Sequence, residues 1–375
     1  MRVLIWSQHL LGTGHLRRSE RLAEALAARG ARVVLVNGGV APPQPAGQRY
    51  VRVDLPSISS PSARFEGLVD HLGEAVNEAL WAARTTKLNA LGAGPVDAVV
   101  VELFPFGRRA FARELIPWLQ ALRARQPRPR LVVSLRDVLV PSARPGRAAA
   151  AAERCRLFDR ILVHADPRLI SLDASFPLAR SVAGRLRYTG YVGPTMARAS
   201  GSGRGVVVSA GGGAVGHRLI DTALTAAGAG GERFAPWTLI GGANLPEATF
   251  RGFQARVPDG VSLLRHVDDL PERICRAAVS VSQAGYNTVV ETLAAGRPAV
   301  LVPFATPSET EQTVRAAALE RVGAAVALSE EALDPPRLLA ALERAVALPG
   351  LGWSLDVDGA DRSAELILAA VGDGR

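Results

Sequence analysis

The stretch 278-AVSVSQAGYNTVVETLAAGRPAVLVPFATPSETEQ-312 decides the fold. Ala278 to Ser282 has the alternation and apolar character of a buried strand, and the pattern breaks at Gln283-Ala284-Gly285. Helical spacing runs from about Asn287 to Ala295, and Gly296-Arg297-Pro298 stops it. Ala299 to Val302 is a second apolar strand. In such a strand–loop–helix unit the first N–H groups of the helix lack intrahelical acceptors and face the carboxyl ends of the strands, a seat for phosphate or diphosphate. Glu291, six residues beyond Gly285, is placed within the helix to accept hydrogen bonds from a ribose diol. After the second strand, Glu309, Glu311 and Gln312 offer acceptors and an amide for sugar hydroxyls. The order suggests a nucleotide-sugar pocket, although a plain βαβ unit with a solvated Glu291 fits the bare pattern equally.

A similar unit opens earlier. Gly205 to Ser209 reads as a buried strand, followed by Ala210-Gly211-Gly212-Gly213-Ala214-Val215-Gly216 and a helix from about His217. Consecutive glycines there allow close backbone approach to a diphosphate at a helix N-terminus. Trp237 to Ile240 and Val261 to Leu264 are further strands, the second leading into Arg265-His266-Val267. Ala199 to Gly205, rich in Gly and Ser, reads as a hinge.

The N-terminal half starts with a strand, Val3 to Ser7, a loop ending Gly12-Thr13-Gly14-His15, a helix to about Arg29, and a strand from Val33 to Val36. This is the opening of a doubly wound domain without the spacing of a dinucleotide fingerprint. Gly12 and Gly14 are expected to adopt torsions closed to other residues and to expose His15 at the carboxyl end of the sheet. A neutral imidazole there can take a proton from an attacking hydroxyl at pH 7; Arg17 and Arg18 could meet acceptor charge but read better as exposed helix arginines, and His9 is a weaker candidate base. Helical character is expected from about Glu66 to Leu91. Asp97 to Glu102 is a buried strand ending in a carboxylate on the functional rim, and Arg130 to Arg136 and Arg160 to His164 are further strands.

The 375 residues suit two domains, 48% of them are hydrophobic, and no apolar run approaches a membrane span. Cys155 and Cys275 have no companions at metal spacing and suit reduced thiols in a cytoplasmic protein. The net charge of +9 is uneven: residues 101–200 carry 18 arginines against seven acidic residues. A solvated arginine-rich surface and a face toward anionic lipid or a lipid-phosphate acceptor both account for this. Sparse aromatics and the lack of a nucleic-acid motif argue against nucleic-acid binding.

Ser282, Ala284, Gly285, Glu291, Pro303, Phe304 and Gln312 together resemble the donor-binding signature of family-28 glycosyltransferases, the MurG-like group of the GT-B fold. Gln283 stands where Arg is common, and the final loop is one residue longer. The glycine loop at 210–216 resembles that family's diphosphate loop, and the GTGH turn resembles its N-terminal loop, whose His approaches the acceptor or an attacking water. The resemblance implies an α/β protein of GT-B type, two doubly wound Rossmann-like domains facing a central cleft. The acceptor domain would span 1–194, the donor domain 195–355, and a helix at about 356–375 would pack back on the first.

The activity so implied is inverting, metal-independent transfer of a hexose, with N-acetylglucosamine the candidate, from a UDP-sugar to an acceptor hydroxyl. Catalytic candidates are His15 and Glu102. The donor-binding candidates are Gly12, Gly14, Gly211, Gly212, Gly213, His266, Val267, Ser282, Gln283, Ala284, Gly285, Glu291, Glu311 and Gln312, with uracil read by the backbone near His266-Val267. No metal or cofactor is expected, Asp356-Val357-Asp358 being read as surface acid. The acceptor is open among glycan, lipid-linked and small molecules, and the Arg-rich 101–200 region is the candidate contact with the inner face of the membrane. The alternatives are a UDP-sugar hydrolase of the same fold, whose GTGH turn followed by Arg18 is also similar, and a non-catalytic sugar-nucleotide-binding or scaffold subunit.

Overall fold

A computed structural model describes every residue except 45, 62–66, 141–145, 195–200, 213–214, 230, 307–309, 350–354 and 374–375. In chain order the first elements are β1 (Arg2–Ser7), α1 (Gly14–Ala28), β2 (Arg32–Asn37), β3 (Val51–Asp54), α2 (Glu78–Ala93), β4 (Ala98–Glu102), α3 (Ala112–Arg123), β5 (Arg130–Arg136), α4 (Arg147–Arg154), β6 (Arg160–His164) and β7 (Leu186–Tyr188). There follow β8 (Val206–Ser209), α5 (His217–Gly228), β9 (Trp237–Ile240), α6 (Glu247–Gln254), β10 (Val261–Leu264), α7 (Leu270–Arg276), β11 (Val279–Ser282), α8 (Tyr286–Ala295), β12 (Ala299–Leu301), α9 (Glu311–Arg321), β13 (Val326–Ala327), α10 (Pro335–Val346) and α11 (Gly359–Gly372).

The contacts divide the chain into two units, one of Met1–Pro167, Ser171–Val192 and Asp358–Arg375, the other of Arg168–Ile170 and Gly193–Val357. Each is built on one all-parallel sheet with helices on both faces, the α/β class expected. β4 shows why: all five of its residues are buried, and a strand buried on both sides needs cover on both.

In the first unit the sheet order is β3-β2-β1-β4-β5-β6-β7. Side chains alternate along each strand. Val3 and Ile5 face a cluster with Leu22 and Leu26 of α1 and with Ile367 and Val371 of α11. Trp6, fully buried, turns to the other face, where its ring meets Phe111 edge-on at 5.7 Å and Phe111 meets Trp81 at 5.5 Å. Burial of each such large side chain stabilises by about 1.5–3 kcal/mol. The last helix joins this unit because Gly359 has no Cβ: one built there would lie 2.4 Å from the Gly190 carbonyl oxygen. Its N–H donates to Tyr191 at 2.9 Å, and Asp361 pairs with Arg29.

Between α2 and α3, Arg84 and Glu114 form a fully buried bidentate pair at 2.7 and 2.8 Å. Arg84 also donates to the carbonyls of Gly38 and Pro56 and to Gln8 Oε1, so every polar edge of the guanidinium is used.

In the second unit the order is β10-β9-β8-β11-β12-β13. Val206, Val208, Val279, Val281 and Val300 pack with Leu219 and Ala223 of α5 and with Leu338 and Leu342 of α10. Val207 and Ile240 turn to the opposite face, against Ile274 and Ala295.

Two readings need correction. The helix expected over 66–91 begins only at Glu78, because Asp70 caps a turn (N–H of Leu72 at 2.8 Å and of Glu74 at 3.0 Å) and Gly67 and Gly73 take positive φ. Asn77 then accepts from the Leu80 N–H as a side-chain N-cap. The short strands β3, β7 and β13 were not foreseen; each has four residues or fewer and flanks its sheet's edge.

Candidate functional site

Each sheet has one point where the strand order reverses, and ligands of doubly wound proteins bind outside the carboxyl ends of the strands there. In the first unit the chain builds β2 and β3 to one side of β1, then returns to lay β4 on its other side. The loop after β1 leads into α1, whose second residue is His15, and β4 ends in Glu102. Their side chains meet: His15 Nδ1 lies 2.7 Å from Glu102 Oε1. Glu102 is fully buried and His15 retains 17% side-chain exposure.

Arg18, one turn along α1, donates to the same carboxylate oxygen. Burial raises the Glu102 pKa, but the contacts with His15 and the charge of Arg18 outweigh it and bring it to about 2. Burial lowers that of His15 to about 3 against the opposing pull of Glu102. The stable pair is therefore carboxylate and neutral imidazole. A carboxylate only accepts, so Nδ1 carries the hydrogen and Nε2 presents a lone pair. Arg18 Nη2, 3.2 Å from Nδ1, is then a charge contact between two donors.

The reading of Arg18 as an exposed arginine is overturned: its side chain is 3% exposed, because α1 turns that face toward β4. Arg17 remains half-exposed and pairs with Glu20. Arg108, in the left-handed region at φ 54°, donates to the Gln8 carbonyl at 2.6 Å; burial and the nearby Arg136 and Arg18 lower its pKa to about 10 despite Glu102. Arg18 and Arg108 thus share the field of one carboxylate.

Gly12 and Gly14 do not use positive φ. Gly14 opens α1, and a Cβ on Gly12 would meet nothing within 4 Å. The glycines that close approach does require are Gly38 and Gly39 after β2, where a Cβ would strike Gln8 at 2.1 Å and the His9 ring at 2.5 Å. His9 Nε2 faces the Val40 carbonyl at 2.9 Å and so donates to it; the ring is buried and holds that loop. Farther along the same edge, Thr189 Oγ1 donates to Gly190 O, accepts from His164 Nδ1 at 2.9 Å, and His164 Nε2 accepts from Ser134 at 2.7 Å.

In the second unit the reversal lies between β8 and β11, which are hydrogen-bonded neighbours with Ser209 opposite Ser282. Both glycine turns therefore leave the same edge from adjacent strands. Gly211 takes φ +61° and its N–H donates to Ser209 Oγ at 3.2 Å. Gly212 accepts from the Asn244 N–H at 2.9 Å, and Gly213, Ala214 and Glu309 lie outside the described residues. Gly216 is a steric necessity, since a Cβ there would lie 2.3 Å from that of Ala210.

Gly285 is the N-cap of α8 and, as a glycine, makes no side-chain cap bond of its own. Ser282, Gln283 and Ala284 are buried beneath it, and among the described residues Ser282 Oγ has no hydrogen-bond partner. Glu291 is half-buried on α8. Gln312 Oε1 accepts from the Phe304 N–H at 3.1 Å, leaving its amide NH2 to donate, and Glu311 opens α9. His266 is 62% exposed, 3.3 Å from Asp268, whereas Val267 packs against the core beside Ile274. Both follow β10, two strands from β8 on the same edge.

Sequence reasoning missed Arg315. Fully buried, it donates to the Ala284 carbonyl, and its guanidinium lies 5.8 Å from the Tyr286 ring, so it holds the β11–α8 turn from beneath. Its signal was its spacing three residues after Gln312, which puts both on one face of α9. Among the described residues no group of three or more His, Cys, Asp or Glu is arranged for a metal, and no helix is long and apolar enough to cross a membrane.

Residues 207–349 match the model of the glycosyltransferase family 28 C-terminal domain. The UDP-N-acetylglucosamine--N-acetylmuramyl-(pentapeptide) pyrophosphoryl-undecaprenol N-acetylglucosamine transferase of Methylobacterium radiotolerans is 35% identical over 117 residues, 29% of this chain and 32% of that protein. The enzyme of the same name from a Chelativorans species is 41% identical over 81 residues, 22% of each chain. The match thus spans about a third or less of the length of these curated relatives. Among solved structures, MurG of Acinetobacter baumannii aligns with a TM-score of 0.59 at 17% identity over 98% of this chain and 100% of its own. The glycosyltransferase SnogD of Streptomyces nogalater aligns with a TM-score of 0.59 at 17% identity over 100% and 99%. Residues 207–349 are a glycosyltransferase family 28 C-terminal domain, and the chain that carries them has the GT-B glycosyltransferase fold.

Proposed function

We propose that this protein transfers a hexose from a UDP-sugar to an acceptor hydroxyl with inversion and without a metal ion. The observation that carries the reading is the 2.7 Å contact of His15 Nδ1 with the ionised Glu102 at the reversal point of the first sheet. His15 Nε2 takes the proton of the acceptor hydroxyl, whose oxygen attacks the anomeric carbon. The bond from that carbon to the diphosphate breaks, and UDP departs with the electron pair. The imidazolium so formed is stabilised by Glu102.

The N-terminus of α8 and the neighbouring turn after β8 suit the charge of the departing diphosphate. Glu291 takes the ribose diol, the backbone at His266-Val267 takes uracil, and Glu311 and the free NH2 of Gln312 take hexose hydroxyls. The relatives named above as UDP-N-acetylglucosamine transferases support that donor. Their name also specifies a pyrophosphoryl-linked acceptor; Arg18 and Arg108 beside one carboxylate suit an acceptor carrying such a group.

The test is a thermal-shift panel followed by kinetics. UDP should stabilise the protein where ADP and GDP do not, by about 2.7 kcal/mol at 100 times its dissociation constant. His15→Ala should abolish turnover and keep UDP affinity, Glu291→Ala should weaken UDP binding, and chelator should leave turnover intact. Loss of UDP affinity in His15→Ala equal to the loss of turnover removes the base role. Release of free hexose without an acceptor reassigns the same residues to hydrolysis.

A further inference from the structure

A second cluster of charge lies at the other edge of the first unit's sheet. Arg130 and Arg160 are the first residues of β5 and β6, and Arg185 immediately precedes β7. With Arg123, Arg156 and Phe158 they line a pocket of about 390 Å3. Arg130 is separated from Ser134, the register partner of Glu102, by four residues of β5, about 13 Å at 3.3 Å per residue. The pocket is therefore distinct from the catalytic candidates, and it stands whether or not the transferase reading holds.

The arginines are held by carbonyl oxygens and not by carboxylates. Arg123 donates to Arg156 O and Leu157 O, Arg130 to Ala370 O, Arg160 to Asp159 O and Arg185 to Phe158 O. Among the described residues none of these four has an ion-pair partner. Arg156 pairs with Glu153 in solvent. The acids lining the pocket are Asp159, already engaged by Arg128 and the Leu131 N–H, and Asp373. Arg130, Arg160 and Arg185 are half-buried. Partly desolvated guanidiniums fixed by carbonyls keep their charge and most of their N–H donors, a preorganised arrangement for phosphate oxygens.

We infer that this pocket binds a phosphate-class anion, either a soluble diphosphate or the phosphate of an anionic lipid headgroup. The full chain is tested with inorganic pyrophosphate by calorimetry and with phosphatidylglycerol vesicles, against phosphatidylcholine vesicles, by co-flotation. Arg160→Gln/Arg185→Gln should weaken one of these interactions at least about tenfold, or about 1.4 kcal/mol. UDP affinity, which depends on the other unit, should not change. Arg32→Gln/Arg49→Gln, exposed arginines outside the pocket, makes the same change of charge and should have no effect. A pyrophosphate response assigns a soluble ligand, and a response to phosphatidylglycerol alone assigns the headgroup. Should the first double variant not fold, Arg123→Gln/Arg156→Gln, both exposed, decides. Unchanged binding in both arms, or equal loss in the control, overturns the inference.

Discussion

Glu102→Gln is the sharpest perturbation available, because it keeps the shape of the side chain and removes one charge. In the resting protein Glu102 accepts from His15 Nδ1 at 2.7 Å while Arg18 holds the same oxygen. In the proposed reaction, proton transfer to His15 Nε2 creates an imidazolium beside that carboxylate. Two unit charges about 4 Å apart attract by about 4 kcal/mol at an effective dielectric constant of 20. With the proton about half transferred in the transition state, about 2 kcal/mol of that is lost in the amide variant, or about 30-fold in kcat. The Arg18 charge is then uncompensated and makes the imidazolium harder still to form. The amide can also donate to Nδ1 and turn the tautomer the wrong way, which enlarges the loss toward 10⁴-fold. The assay is steady-state release of UDP with UDP affinity measured in parallel. A kcat within threefold of the parent, at unchanged affinity, refutes the role given to Glu102.

Other outcomes follow from the same structure. His15 and His164 have pKa values lowered to about 3, chiefly by burial, while the unfolded chain binds their protons below about 6.5. Stability therefore falls as pH drops from about 6.5 toward 3, each such histidine contributing up to about 1.4 kcal/mol per pH unit. Glu102 acts in the same direction from its ordinary 4.5 down to about 2. Thermal midpoints measured from pH 7 to pH 4 should fall, less steeply in His164→Gln; a flat profile contradicts the assignment. Glu114→Ala leaves Arg84 buried without its carboxylate and should cost about 3–5 kcal/mol in urea unfolding; a cost below about 1 kcal/mol would mean the pair is not fully desolvated. Arg315→Met should weaken UDP binding about tenfold, the value of a charge-assisted hydrogen bond to the Ala284 carbonyl. Unchanged UDP affinity in that variant separates Arg315 from the turn it supports.

Much of the second unit was legible from particular residues. The strand from Val279 to Ser282, the turn through Gly285 and the helix to Ala295 each have a local cause: an apolar run, a break, and a 3.6-residue spacing closed by Gly296. Gly296 takes φ +68°, the left-handed stop that its position announced. The helix expected from Glu66 failed because residues 67–77 have turn-forming Gly67, Asp70 and Gly73 among helix-compatible neighbours, and hydrogen bonds to the Asp70 side chain won.

Charge was harder to read than pattern. Arg17 and Arg18 are identical as letters, yet one half-exposed guanidinium pairs with Glu20 and the other is buried on Glu102, 84 residues away. Local sequence determined the strands, the glycine turns, the presence of His15 at a helix start and of Glu102 at a strand end. Those depend on torsional preference and on hydrophobic period, which act over a few residues. Only tertiary structure decided that β1 and β4 are neighbours, that His15 therefore meets Glu102, and that Arg315 lies under Ala284. The physical reason is that strand order follows from which faces bury most apolar surface together. That sum runs over the whole domain, so no window of the chain contains it.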